Sequence, residues 1–151
     1  MKRASKYTRK ISPRLGLLGF LGFLGFAGLA TYRLSQSFFP FVFFAFFGFF
    51  GFYYEGKLSA TLMDERFLQN KLRAEHKAYS LCGGISFLAL VLTSFAETVW
   101  AQLAGALDLQ VSELKLMFLT IVLALAFALG SFLSQYLLYR YDHKDCNESE
   151  L

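Results

Sequence analysis

Charge is missing from four long stretches of this chain, and that absence constrains it more than anything present. No Asp, Glu, Lys or Arg occurs in Leu15–Tyr32, Leu34–Tyr54, Ala78–Ala96 or Leu116–Tyr139, runs of 18, 21, 19 and 24 residues. Proline is scarce, with 2 in 151 residues, and 2 cysteines are too few for a disulfide framework. Cys82 falls inside an apolar run and Cys146 in a polar tail, so both are expected to be free thiols. Only 2 histidines occur, and no His/Cys/Asp/Glu set has metal-ligand spacing. No nucleophile–base pair and no phosphate-binding G-x-x-x-x-G-K-[ST] loop is present. The expectation is a non-enzyme with no cofactor, no metal and no catalytic residues. The formal charge of +4 is carried by residues flanking the apolar runs, not by a continuous stripe, which argues against nucleic acid as a partner.

What is present is apolar bulk. Hydrophobic residues make up 56%, and phenylalanine alone occurs 19 times beside a single tryptophan. About 20 apolar residues in a helix cross a ~30 Å hydrocarbon core. Lipid offers no partner to an open backbone amide, and the runs lack the alternation of a barrel strand. The expected fold class is therefore all-α: a polytopic membrane protein with four transmembrane helices and the lipid bilayer as its surroundings. The spans are placed at about 15–32, 36–54, 78–96 and 116–139. A basic leader at 1–14 and a polar tail at 140–151 bracket this single membrane domain of 15–139, and both are expected to lack fixed structure.

Orientation follows from the flanks. Lys2, Arg3, Lys6, Arg9, Lys10 and Arg14 precede the first run; Lys57, Arg66, Lys71, Arg73 and Lys77 separate the second from the third; Arg140 and Lys144 follow the fourth. The opposite side keeps only Arg33 and Lys115. The positive-inside rule predicts N-in/C-in, with a cytoplasmic loop at 55–77 and an external loop at 97–115. Tyr32, Tyr53, Tyr54, Trp100, Tyr139 and Tyr141 lie near run ends, where interfacial aromatics belong. A competing reading takes the first run as a secretory signal cleaved after the small residues Gly28 and Ala30, leaving a new N-terminus at Thr31.

Gly16, Gly19, Gly22, Gly25 and Gly28 recur every third residue in the first run, beside Phe20, Phe23 and Phe26. In an α-helix each would lie about 60° behind the last, so the five would wind around the helix. Gly48 and Gly51 echo the pattern in the second run among Phe46, Phe47, Phe49, Phe50 and Phe52. Few residues separate the two runs, which predicts a tight hairpin with rings of one helix set into glycine notches of the other. Pro13 suits a helix start. In the loop, Thr61 followed by Asp64 reads as a capping box for a helix from about Leu62, with Leu62, Phe67, Leu68 and Leu72 on one side. Lys71 and Glu75 can pair at i, i+4, and His76 reads as solvated. Val99, Trp100, Leu103 and Leu107 have the spacing of an interfacial helix.

No charged residue lies in mid-membrane, which counts against proton-coupled transport. Glu97, at the outer end of the third run, can reach water. The remaining candidates are Asp64, Glu65 and Arg66, just beneath the membrane: they form either a helix N-terminus with favourable dipole placement for Asp64 and Glu65, or a docking surface for a protein or for the other cytoplasmic segments. Leu15–Phe26 (LGLLGFLGFLGF), FFGFFGFYYEGKLS at 46–59 and MDER at 63–66 together resemble a family of small bacterial membrane proteins of unknown function, over roughly residues 14–80. The resemblance implies a membrane location and nothing about activity. Two functions are carried forward: an interaction, regulatory or small-subunit protein whose partner contacts the 55–77 loop, and a small homo-oligomeric transporter or channel, with Ser86, Thr93, Ser94 and Gln135 lining its path.

Overall fold

The computed structural model describes residues 5–6, 11–35, 37–58, 62–95 and 97–149. Four helices in it are long and apolar enough to cross a membrane, Pro13–Tyr32, Phe39–Leu58, Glu65–Phe95 and Val111–Lys144, and the chain is an all-α, multi-pass membrane protein. The first span is a 3-10 helix over Pro13–Phe26 that relaxes into α1, Ala27–Ser35. The second repeats this, with a 3-10 helix over Phe39–Phe50 leading into α2, Gly51–Leu58. Then come α3 (Glu65–Phe95), α4 (Glu97–Leu107) and α5 (Val111–Ser149).

Runs of 3-10 helix beyond three or four residues are uncommon, because the hydrogen bonds are poorer and side chains at i and i+3 eclipse. Here the eclipsing organises the hairpin. Three residues per turn bring the five glycines into one straight stripe, correcting the winding expected of an α-helix. All five are buried, and the two residues between each pair are exposed. The facing stripe comes from Phe41, Phe44, Phe47, Phe50 and Tyr53, also spaced by three. A methyl on Gly19, Gly22, Gly25 or Gly28 would come within 2.5–2.7 Å of the ring of Phe50, Phe47, Phe44 or Phe41, and on Gly16 it would reach Tyr53. Each ring therefore lies on bare backbone. Phe20, Phe23 and Phe26 flank the seam and meet Phe50, Phe47 and Phe44 edge-on at 5.2, 5.1 and 5.0 Å. Such edge-to-face pairs add about 0.5–1.5 kcal/mol each beyond burial, which offsets the weaker 3-10 backbone bonding.

The tighter winding also solves a length problem. As an α-helix the 18 uncharged residues of the first run would reach about 27 Å, just short of a ~30 Å core. The 14-residue 3-10 segment alone covers about 28 Å at ~2.0 Å per residue. Pro13 and Pro40 sit at the starts of the two 3-10 segments, where a missing N–H costs little.

The glycines of the second span serve a different neighbour. A methyl on Gly48 would meet Ala128 Cα at 3.2 Å and one on Gly51 the Ser131 carbonyl oxygen at 2.9 Å, so both notches receive the backbone of α5. On its other side α5 meets α3 through small residues: Ala74, Ala78 and Cys82 are buried on α3, and Gly130 and Ser134 on α5. A methyl on Gly130 would lie 3.2 Å from Cys82 Sγ. Cys82 is a free, buried thiol used as a small packing residue; the side chain of Cys146 lies outside the described residues. The spans thus stand in an open row: first, second, fourth, third. Among the described residues the first and third spans make no close backbone approach, nor do the second and third.

Several expectations for the flanks are corrected. Leu62–Met63 is extended, not helical, and pairs antiparallel with Ser5–Lys6, so part of the leader is anchored. α3 starts at Glu65; Thr61, expected in its cap, lies outside the described residues. Phe67 is buried, but Leu68 and Leu72 are exposed, because α3 meets α5 along Ala74 and Ala78 and turns its leucines outward. The tail is helical through Ser149, held where Tyr139 and Tyr141 pack on the Leu58–Phe67–Ala74–Leu138 cluster. Opposite, Trp100 and Ala104 of α4 are buried against Leu114, and Trp100 Nε1 donates to the Leu92 carbonyl at 2.9 Å. Asp108 ends α4 at φ 54, with the Leu109 amide donating back to the Ala104 carbonyl, a Schellman-type stop.

Two stability changes follow. Gly51→Ala, which meets backbone, is expected to cost about 1–3 kcal/mol by thermal unfolding in detergent. Gly22→Ala meets only the Phe47 ring, so adding Phe47→Leu is expected to recover part of its loss, with a coupling of about 0.5–3 kcal/mol in a double-mutant cycle.

Candidate functional site

The strongest candidate is the polar end of the molecule on the N-terminal side of the membrane. Three elements build it: the strand pair, the first turns of α3 and the last turns of α5. A 31-residue α-helix is about 46 Å long and a 39-residue one about 58 Å, so α3 and α5 both outrun a ~30 Å core. Their excess carries the charges.

Asp64, Glu65 and Arg66 are brought together at the head of α3, and all three are exposed. Asp64 is the N-cap: its Oδ1 accepts from the Phe67 amide at 2.7 Å, and its carbonyl accepts from the Leu68 amide at 3.2 Å. The carboxylate satisfies an amide the helix leaves open and sits at the positive end of the macrodipole. Phe67, directly beneath, is 1% exposed and anchors this turn in the core. Glu65 and Arg66 project from that anchored turn. Lys71 and Glu75 pair one turn further on at 3.9 Å, and His76 is exposed.

A second feature at this end gathers Tyr53, Tyr54, Tyr139 and Tyr141, expected as interfacial aromatics, with Phe132 and Tyr136, which the sequence did not single out. Tyr54 is the hub of a ring cluster with Phe132, Tyr136 and Tyr139 at 5.8, 5.3 and 5.4 Å. Lys57 Nζ lies 4.5 Å from the Tyr53 ring centroid and 5.5 Å from that of Tyr139. Lys77 Nζ donates to the Tyr141 hydroxyl at 3.0 Å. Glu55, between these groups in α2, is 3% exposed and has a polar partner. The i, i+3 spacing of Tyr136 and Tyr139 was the available signal; that both meet Tyr54 depends on the α2–α5 contact.

Of the polar residues expected along a conducting path, Ser86, Thr93 and Ser94 lie on α3 and Gln135 on α5. Thr93 and Ser94 donate to the Ala89 and Leu90 carbonyls of their own helix. Gln135 lies on α5 against Gly51 of the second span. Glu97 forms an ion pair with Lys115. The packing glycines Gly16, Gly19, Gly22, Gly25 and Gly28 all lie in the hairpin seam, and Gly48 and Gly51 in the seam with α5. Among the described residues no three His, Cys, Asp or Glu are grouped to hold a metal.

Asp64→Ala is expected to destabilise the protein by about 1 kcal/mol, and Asp64→Asn by much less, read as melting temperature in detergent. Comparison with protein-family models, with curated proteins and with solved structures finds no match to this chain.

Proposed function

We propose that this chain is a non-enzymatic interaction protein of a bacterial cytoplasmic membrane, a regulator, adaptor or small subunit, with both ends in the cytoplasm. The observation that carries the reading is the exposed first turn of α3. Glu65 and Arg66 project from a helix start held on one side by the Asp64 cap and on the other by buried Phe67. A rigid, charged, solvent-facing turn suits a protein partner, since little ordering entropy is lost when it docks. The helix pair beyond the membrane supplies the surrounding platform. The open row of spans also leaves α3 with broad exposure inside the membrane, where Leu81, Phe87, Leu88 and Leu90 face outward. That suits a subunit that packs against a larger membrane protein.

Because Asp64 caps α3, alanine there would confuse lost folding with lost docking. The informative variant is Glu65→Ala with Arg66→Ala, leaving Asp64 intact. Tagged protein would be drawn from its native membrane in gentle detergent beside this variant, with mass spectrometry on both. A stoichiometric partner that disappears in the double variant is the expected result. Identical partners in both samples, at equal protein accumulation, would remove this surface from the account.

A further inference from the structure

The outer face of the first span carries a feature that a 3-10 helix creates and an α-helix would not. With three residues per turn, the side chains outside the glycine seam fall into two straight ridges. Leu18, Leu21 and Leu24 form one; Leu17, Phe20 and Phe23 form the other. All six are exposed, and a groove of about 550 Å³ runs between them. From Ser12 to Leu24 it is about 24 Å long at ~2.0 Å per residue, more than one leaflet of a ~30 Å core. In an α-helix the same ridges would coil around the axis, and no straight channel along the membrane normal would exist.

The two ends of the groove differ. The Leu24 end is wholly apolar, whereas the other end is lined by Ser12 and Arg14. Arg14 is exposed and meets no carboxylate among the described residues. Gly56 packs against Pro13, which brings Lys57 level with Ser12 on the neighbouring span. Lys57 lies over the Tyr53 ring, and Tyr53 packs on Gly16 in the glycine seam, so both stand on the hairpin side of the first span and leave Arg14 as the cation that lines the groove. The groove thus has a cationic mouth with a hydroxyl donor at the depth of lipid headgroups, and an apolar channel at the depth of acyl chains.

We propose that this groove holds one anionic phospholipid, its phosphate on Arg14 and one acyl chain laid between the leucine and phenylalanine ridges. The guanidinium fork supplies paired donors to phosphate oxygens. A net negative headgroup is favoured over a zwitterionic one, because choline would bring a second positive charge to a mouth that already holds Arg14. The straight ridges hold an extended chain without the kinks that a coiled groove would demand.

The test is native mass spectrometry of the full chain in detergent, titrated separately with palmitoyl-oleoyl phosphatidylglycerol and with the matching phosphatidylcholine. The unmodified protein is expected to retain about one phosphatidylglycerol and to prefer it roughly tenfold over phosphatidylcholine. Arg14→Gln is expected to abolish the preference, and Arg14→Lys to keep most of it. Leu18→Ala with Leu21→Ala lowers one wall at exposed positions and is expected to weaken retention of both lipids. Equal retention of the two lipids by the unmodified protein would overturn the proposal. So would a preference that survives Arg14→Gln, or retention indifferent to the wall substitutions.

Discussion

The structure depends on a three-residue register shared by two helices. Glycine at every third position of the first span is a bare strip only if the helix has three residues per turn, and the aromatic stripe from Phe41 to Tyr53 answers it only under the same condition. Neither helix has reason to be 3-10 alone, since α-helical hydrogen bonds are better formed and lipid offers the backbone no alternative partner. Together they gain close approach, ring stacking along each helix and edge-on aromatic pairs across the seam. Both helices turn α-helical just before the last member of their stripe, at Ala27 ahead of Gly28 in one and at Gly51 ahead of Tyr53 in the other.

A second constraint is α5, which links the hairpin to the rest. It seats its backbone in the Gly48 and Gly51 notches and presents Gly130 to Cys82 of α3. Small residues do this work because, among lipid tails, helices gain little from burying apolar surface and much from dispersion contact at short range. The result is a row and not a closed bundle. Its third span is largely open to its surroundings, and its polar groups gather at the end where α3 and α5 outrun the bilayer.

That end illustrates how one residue can be read correctly in kind and incompletely in role. The sequence marks Asp64 as a helix-start residue or as part of a docking surface; in the fold it is the cap, and Glu65 and Arg66 project from the same turn. Residue spacing alone does not show where the chain leaves the strand pair, and so did not show that α3 starts at Glu65. The helical tail was hidden for a similar reason: Tyr139 and Tyr141 order it by packing on Leu58, Phe67 and Ala74, residues distant in sequence.

The membrane location, the number of spans and the hairpin of glycine against phenylalanine follow from local chemistry. A charge-free run of the right length has one stable environment, and two neighbouring runs joined by a short link must meet. The helix type, the straight glycine stripe, the row order and the partner of each glycine did not follow. A repeat of three is compatible with a winding α-helical groove or a straight 3-10 one, and only the phenylalanine rings of the second helix select between them. Likewise the seven packing glycines look alike in the chain, yet four receive phenylalanine rings, Gly16 receives the Cβ and backbone of Tyr53, and Gly48 and Gly51 receive α5, because α5 lies on the far side of the second span.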